Sequence, residues 1–347
     1  MNWSNVRKRF FEHKWPAILV WPLGLLYCLF ARGRNLLYDI GLFRQHRLDC
    51  KVICVGNILV GGTGKTPTVL YLARWLTSQG KKVAILSRGY GRTTSHRIVV
   101  ADENGIHAQV DQCGDEPYLM ALELKGVPIV VDRDRVAGGR FLAQHSSPDI
   151  ILLDDGFQHR RLAHDFDILT FQRSSMFGNG FCLPAGPLRE SKKRLGGVDL
   201  LWFNGTDKQK SDFHDYSSIP RIDAFYKVEE FASNQTRYGV SNVKNQTAVA
   251  FCGLGQPENF ISTLQTLEMK VLDYKVFKDH YQYKNDDVVN LEKWRNDIGA
   301  KWIITTQKDW VKLPVENLPE NWSYLAISVQ PIDKKQAEMI LKQVFSF

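Results

Sequence analysis

The chain has 347 residues, 44% hydrophobic and 24% charged, a balance that excludes a disordered chain and a multi-span membrane protein and suits roughly two globular domains. Its net charge is +8, from 45 Lys and Arg against 37 Asp and Glu, and the first fifty residues hold 8 of the former and 3 of the latter. Basic charge concentrated around an apolar run speaks for a membrane surface, not for nucleic acid, which asks for a basic groove with interleaved aromatics.

That run, Trp15 to Ala31, is 17 residues without a formal charge, between Arg7, Lys8, Arg9 and Lys14 on one side and Arg32 and Arg34 on the other. A helix needs about 20 apolar residues to span a bilayer. Pro16, Pro22 and Gly24 are expected to break a regular helix, so the segment reads as an interfacial or re-entrant anchor, with a buried pair of helices as the alternative. Trp3, Trp15, Trp21 and Tyr27 suit the headgroup boundary, and no small-x-small cleavage site precedes Arg32. The six cysteines, Cys28, Cys50, Cys54, Cys113, Cys182 and Cys252, form no CxxC pair and match no zinc spacing, as expected in a reducing compartment.

Beyond the anchor, short β-branched runs alternate with amphipathic stretches, the pattern of a mostly parallel sheet with helices on both faces. Strands are predicted at 52–55, 83–87, 129–132, 150–153, 167–171 and 198–203, and helices at 66–79, 117–124 and 135–144. A polar stretch from Asn204 to Ser218 reads as a linker or exposed loop. The pattern restarts at 248–252, 271–277, 302–306 and 324–329, a second, smaller α/β domain, and a helix from Lys334 is placed to fold back on the first. The division is residues 1–50 for the membrane-associating segment, 51–222 for the nucleotide-binding domain and 223–347 for the smaller domain.

Between the first strand and the first helix stands Val-Gly-Gly-Thr-Gly-Lys-Thr, residues 60 to 66. Gly61, Gly62 and Gly64 let the backbone curl around Thr63 so that its N–H groups converge on an anion. Lys65 supplies a cation for the β and γ phosphates, and Thr66 a hydroxyl for Mg²⁺. The usual phosphate loop has a glycine five residues before Gly64, where this chain has Leu59. Asp154 and Asp155 end the apolar run Ile150 to Leu153, where carboxylates reach Mg²⁺ directly or through water.

A kinase also needs a carboxylate beside the acceptor hydroxyl. Asp115 in Gly114-Asp115-Glu116-Pro117 is a candidate, although by itself a helix N-cap with Pro117 just inside is the simpler explanation, and Asp279-His280 is another. Arg88, Arg92, Arg135 and Arg189 are among the arginines able to clamp phosphates.

Read in order, GGTGKTP, SRGYGR, GDEP, DDGFQHRR, LPAGPLRE, Asp279-His280 and Thr305-Thr306-Gln307-Lys308-Asp309 closely resemble the tetraacyldisaccharide 4'-kinase family. The resemblance implies a P-loop domain joined to a smaller domain, with ATP and Mg²⁺ in the cleft. It also implies an acylated disaccharide 1-phosphate phosphorylated at its 4'-hydroxyl, with the enzyme on the cytoplasmic face of the bacterial inner membrane, near anionic lipids, and no obligate protein partner. By the same resemblance Asp115 is the catalytic carboxylate and His280 its partner, Lys65 and Thr66 the phosphate-loop pair, Asp154 and Asp155 the Mg²⁺ carboxylates, and Glu116, Gln158 and Tyr90 accessory to nucleotide or metal. Tyr281 stands where the family pattern suggests a second His, and Ser191 where Pro is common. The segment 305–309 is expected to make a nucleotide or interdomain contact.

Two rivals belong to other classes. A membrane-associated ATPase switch of the partitioning type carries a Lys before its paired glycines, where this chain has Val60. A GTPase or metal chaperone carries an Asn or Thr before the Lys of its guanine motif, where this chain has Gln307.

Overall fold

The computed structural model describes residues 17–205, 216, 218–233, 236–255, 257–314 and 318–345. Arg7, Lys8, Arg9, Lys14, Trp3, Trp15, Pro16 and most of the polar stretch after Asn204 lie outside the described residues. In chain order the main elements are α1 (Trp21–Asp39), β1 (Lys51–Gly56), α2 (Lys65–Ser78), β2 (Val83–Ser87), β3 (Ile98–Asp102) and β4 (Gly105–Ile106). Then come α3 (Val110–Cys113), α4 (Asp115–Glu123), β5 (Ile129–Val131), α5 (Arg135–Ser146), β6 (Ile150–Asp154), β7 (Phe166–Gln172) and β8 (Leu200–Asn204). The second part holds β9 (Arg221–Ala232), β10 (Arg237–Tyr238), β11 (Thr247–Cys252), α6 (Pro257–Thr266), β12 (Lys270–Val276), α7 (Asn285–Ile298), β13 (Trp302–Thr306), α8 (Gln307–Trp310), β14 (Trp322–Pro331) and α9 (Lys334–Phe345).

One continuous sheet runs β12-β11-β13-β14-β9-β8-β7-β1-β6-β2-β5-β3-β4, with β10 paired to β9. From β9 to β5 every neighbouring pair is parallel, as is every pair from β12 to β14. The two parallel blocks meet at the antiparallel pair β9 and β14. Strands buried on both faces read as continuous apolar runs, which is why β1, β2, β6 and β8 are legible without alternation. Each block is covered on both faces. One core under the first block packs Val69, Leu72 and Leu76 of α2 against Ile53, Ile85 and Leu152, and receives Ala337, Leu341 and Phe345 of α9. The Phe345 ring lies 6.0 Å from Trp75 and 5.3 Å from Phe166, so the last helix does fold back on the first block.

The N-terminal segment corrects one point of the sequence reading. Pro22 and Gly24, expected to interrupt a helix, lie inside the 19-residue α1. Pro22 falls in the first turn, where its missing N–H would have no partner in any case. Gly24 faces inward, and a Cβ there would stand 2.9 Å from both Ala185 Cβ and the Cys182 carbonyl oxygen. The glycine is a docking point for the helix. Leu19, Leu23, Leu26, Leu29 and Phe30 are exposed, and no described helix is long and apolar enough to cross a membrane.

Candidate active site

Loops at the carboxyl ends of the strands in both blocks converge, the usual place for ligands in an open α/β sheet. After β1, Asn57 to Gly64 form the phosphate loop, with Gly61 at φ +115° and Gly64 at φ +82°. Gly61 and Gly62 face open space. Gly64 does not: a Cβ there would lie 2.4 Å from Asn204 Nδ2 and 2.6 Å from the Tyr226 hydroxyl, so only glycine satisfies both the backbone and the packing. Asn204 Nδ2 donates to the Thr63 carbonyl at 2.8 Å. The Thr63 side chain is buried, shares a 2.7 Å hydrogen bond with Thr170 and accepts one from Asn57 at 3.0 Å. Thr63 therefore braces the loop through its hydroxyl. Asn204, assigned to the linker from sequence, is the end of β8 and a strut of this loop. Leu59, the departure from the usual pattern, is buried and bridges to Leu188, which gives the apolar side chain a reason to be there.

Lys65 Nζ lies 3.6 Å from Asp155 Oδ1, and Arg189 donates to both oxygens of Asp155 at 3.4 and 3.5 Å. Arg189 also donates to Gln158 Oε1 at 3.3 Å, and Gln158 Nε2 donates to the Asn57 carbonyl at 2.7 Å. Asp154 and Asp155 are adjacent in the chain and opposite in electrostatics. Burial alone would raise Asp155, but Lys65 and Arg189 outweigh it and hold the carboxyl below its ordinary value. Burial, then the charges of Glu116 and Asp155, push Asp154 up to about 7. Ser87 donates to Asp154 Oδ2 at 2.9 Å, whereas Oδ1 is buried with no partner among the described residues. A buried, unpartnered carboxylate oxygen surrounded by like charge, with the Thr66 hydroxyl on the first turn of α2, is a donor set suited to Mg²⁺.

Asp115 opens α4 after Gly114, where φ is +95° and a Cβ would meet the Tyr90 carbonyl oxygen at 2.8 Å, so backbone and packing both call for glycine. The cap expected of Asp115 is not formed: Gly114 is the N-cap, Asp115 is the first helical residue, and no side chain caps this helix. The carboxylate is 4% exposed. His280 Nδ1 lies 2.9 Å from Oδ2, with Lys308 Nζ at 3.8 Å and Lys312 Nζ at 3.9 Å. Burial works to raise Asp115, but the His280 hydrogen bond and the charges of Lys308, His280 and Lys312 prevail, leaving it below its ordinary value. Lys308 also faces Glu116 at 3.7 Å and Asp279 at 3.3 Å, and these acids raise its pKa against the pull of burial. The Tyr90 ring, largely exposed, packs 5.0 Å from the His280 ring.

The segment 305–309 makes an interlobe contact. Gln307 Nε2 donates to Glu123 Oε1 of α4 at 2.5 Å, and Lys308 reaches Asp115. Asp309 is fully buried, held by the Gly253 N–H, the Tyr283 and Thr306 hydroxyls and Lys312, so it cannot face a guanine base. Lys308 and Lys312, not among the candidate site residues read from the sequence, both stand beside Asp115; Lys308 lies in the 305–309 stretch, whereas nothing in the sequence marked Lys312.

The arginines divide. Arg189 is in the site, and buried Arg135 sits in the field of Asp154 and Asp155 with Arg88 beside it. Arg88 is exposed at the end of β2. Arg92 donates NH1 to the His96 and Val131 carbonyls, supporting the chain between β2 and β3, while its Nε and NH2 are buried with no partner among the described residues.

Residues 16–346 match the family model described as tetraacyldisaccharide-1-P 4'-kinase. The chain belongs to this family. Among curated relatives named tetraacyldisaccharide 4'-kinase, the protein of Pelobacter propionicus is 34% identical over 313 residues, 89% of this chain and 86% of that one. The protein of Pasteurella multocida is 33% identical over 335 residues, 96% of each chain. A solved structure of LpxK from Aquifex aeolicus in complex with ATP superposes with a TM-score of 0.78 at 32% identity, covering 95% of this chain and 99% of that one.

Proposed function

We propose that this chain transfers the γ-phosphoryl group of ATP to the 4'-hydroxyl of an acylated glucosamine disaccharide 1-phosphate, a step of lipid A assembly. Family membership supports the substrate class, and the solved relative's ATP supports the donor. The observation that carries the residue assignment is the meeting of Asp115 from the first block with His280 and Lys308 from the second, beside Glu116, whose charge reaches Asp154.

In this reading residues 51–222 bind nucleotide and 223–347, apart from α9, close over the acceptor. The N–H groups from Gly61 to Thr66 and the Lys65 ammonium hold the β and γ phosphates, while Arg189, with Arg135 and Arg88 behind it, offsets charge near Asp155. Mg²⁺ bound by Asp154, Asp155, Thr66 and Glu116 would neutralise charge on the transferring group. Asp115 accepts the acceptor hydroxyl's hydrogen bond. Its low pKa makes it a weak proton sink, which suffices because a loose phosphoryl transfer needs proton removal only late. His280 orients the carboxylate, and Lys308 keeps it ionised. Tyr90 and Gln158 line the nucleotide side.

The lipid face is α1. Each buried CH₂ of an acyl chain is worth about 0.8 kcal/mol, so such an acceptor stays in its bilayer and the enzyme must come to it. The exposed Leu23, Leu26 and Phe30 suit that surface, with basic flanks drawing anionic lipid. The test is incubation with ATP, Mg²⁺ and detergent-dispersed acylated glucosamine disaccharide 1-phosphate. A product carrying one added phosphate on the distal sugar is expected, and its absence with consumption of GTP in place of ATP would overturn the reading.

A further inference from the structure

The inner face of α1 is tied to the same short segment that braces the catalytic loops, and the tie is a buried carboxylate. Glu190 is 2% exposed. Arg34 donates to its Oε1 at 3.1 Å, Asn35 Nδ2 donates to Oε2 at 3.0 Å, and Arg194 Nε stands 3.7 Å from Oε2. A second tie runs from Arg160, which donates to the Asn35 carbonyl at 2.8 Å and pairs with Asp39 at 2.8 Å. Gly24 and Cys28 complete the seat against Ala185 and Cys182.

On its other side the segment is bound to the phosphate site. The Val60 N–H donates to the Pro187 carbonyl at 2.8 Å, Leu59 bridges to Leu188, and the Arg189 N–H donates to the Ile58 carbonyl at 2.7 Å. Arg189, the neighbour of Glu190, grips Asp155 and Gln158. Four consecutive residues thus hold the entry to the phosphate loop, the candidate metal carboxylate and the amphiphilic helix.

We infer that Glu190 is a positioning residue: through Arg34 and Asn35 it makes the seating of α1 part of the geometry that sets Arg189 against Asp155 and the phosphate loop. A buried charge that loses a partner is costly: without Arg34 the Glu190 carboxylate keeps only Asn35 and Arg194, and without Glu190 the Arg34 and Asn35 side chains of α1 lose their seat. This rests on the kinase reading for its readout of turnover. The pair would also make phosphoryl transfer depend on α1 lying where a lipid surface holds it.

The experiment compares full-length wild type with Glu190→Ala, Glu190→Gln, Arg34→Ala and the Glu190→Ala/Arg34→Ala double variant, all at saturating ATP and Mg²⁺ and below their melting temperatures. Expected are a kcat about tenfold or more lower in Glu190→Ala and Arg34→Ala, a KM for the lipid acceptor within about twofold of wild type, and intermediate kcat in Glu190→Gln. Sedimentation with anionic phospholipid vesicles is expected to be retained in the two Glu190 single variants, because the exposed apolar face and its basic flanks are untouched. The double variant is expected to be no slower than the worse single variant, the mark of one shared interaction. Wild-type kcat in Glu190→Ala, a loss confined to acceptor KM or vesicle binding, or fully additive single effects would overturn the inference. Failure of wild type itself to phosphorylate the lipid would instead overturn the kinase reading, and Mg²⁺-dependent binding of a fluorescent ATP analogue would then still report on the Arg189 tie.

Discussion

The donor and acceptor sides of this cleft are built in opposite ways. The phosphate loop is a local object: Gly61 to Thr66 are consecutive, and its braces Asn57, Thr170 and Asn204 all lie in the first parallel block. The acceptor side is a long-range object, in which Asp115 meets a histidine 165 residues away and Lys308 reaches across the same seam. A local site is held by backbone geometry and tolerates little change in shape, whereas a site assembled across two blocks is held by charge and depends on how the blocks meet.

That contrast orders the expected effects. Lys65→Ala removes the cation of the phosphate loop itself and is expected to cut kcat/KM for ATP by about a thousandfold or more, with the acceptor's affinity little changed. Steady-state kinetics in both substrates check this, and a loss confined to the acceptor would break the division between the two sides. Lys308→Ala acts across the seam and should be milder, about ten- to a hundredfold in kcat. Because Lys308 helps hold Asp115 below its ordinary pKa, its removal raises that pKa, and the acidic limb of the kcat/KM profile should move to higher pH. An unmoved limb would detach Lys308 from Asp115.

Asp154 gives the smallest and most specific effect. Its pKa of about 7 means that a proton competes with Mg²⁺ below neutrality, so apparent Mg²⁺ affinity should fall by up to about tenfold for each pH unit beneath 7 and level off above it. The same shift fixes a sign for stability. A carboxyl raised in the folded state is ionised at a cost above pH 7, and that cost fades between pH 7 and about 4. Without Mg²⁺, Asp154→Asn should therefore melt about 3 °C or more above wild type at pH 8, with the advantage gone near pH 4. Melting curves at the two values check it, and equal melting at both would remove the buried charge from the account.

The sequence exposed what is local and concealed what is not. Strands such as Val83–Ser87 and Ile150–Asp154 are legible because burial on both faces leaves an unbroken apolar run. β9, which bonds to both blocks, is not: Arg221, Asp223, Lys227 and Glu229 form the polar phase of an alternation that Phe225 and Glu230 break, so no unbroken apolar run marks it. α6 and α7 carry too many polar residues to stand out. The same logic divides the site. Gly61 to Thr66 and Asp154-Asp155 announce themselves by spacing, whereas the Asp115 and His280 pairing came from resemblance, since nothing in either neighbourhood points to the other. Pro22 and Gly24 were misread because helix-breaking tendencies are averages, and here one begins the helix while the other seats it against Ala185. Asn204 was lost in a polar stretch because a strand-end asparagine and a linker asparagine look alike in one dimension.

The most direct measurement takes nucleotide affinity and turnover from the same preparation of Asp115→Asn. The substitution keeps shape and removes charge on the acceptor side alone. ATP affinity within about threefold of wild type with kcat lower by about a thousandfold is the expected result. Near-normal turnover, or a loss of nucleotide binding in proportion to the loss of rate, would contradict a cleft in which one side grips the triphosphate and the other prepares the sugar hydroxyl.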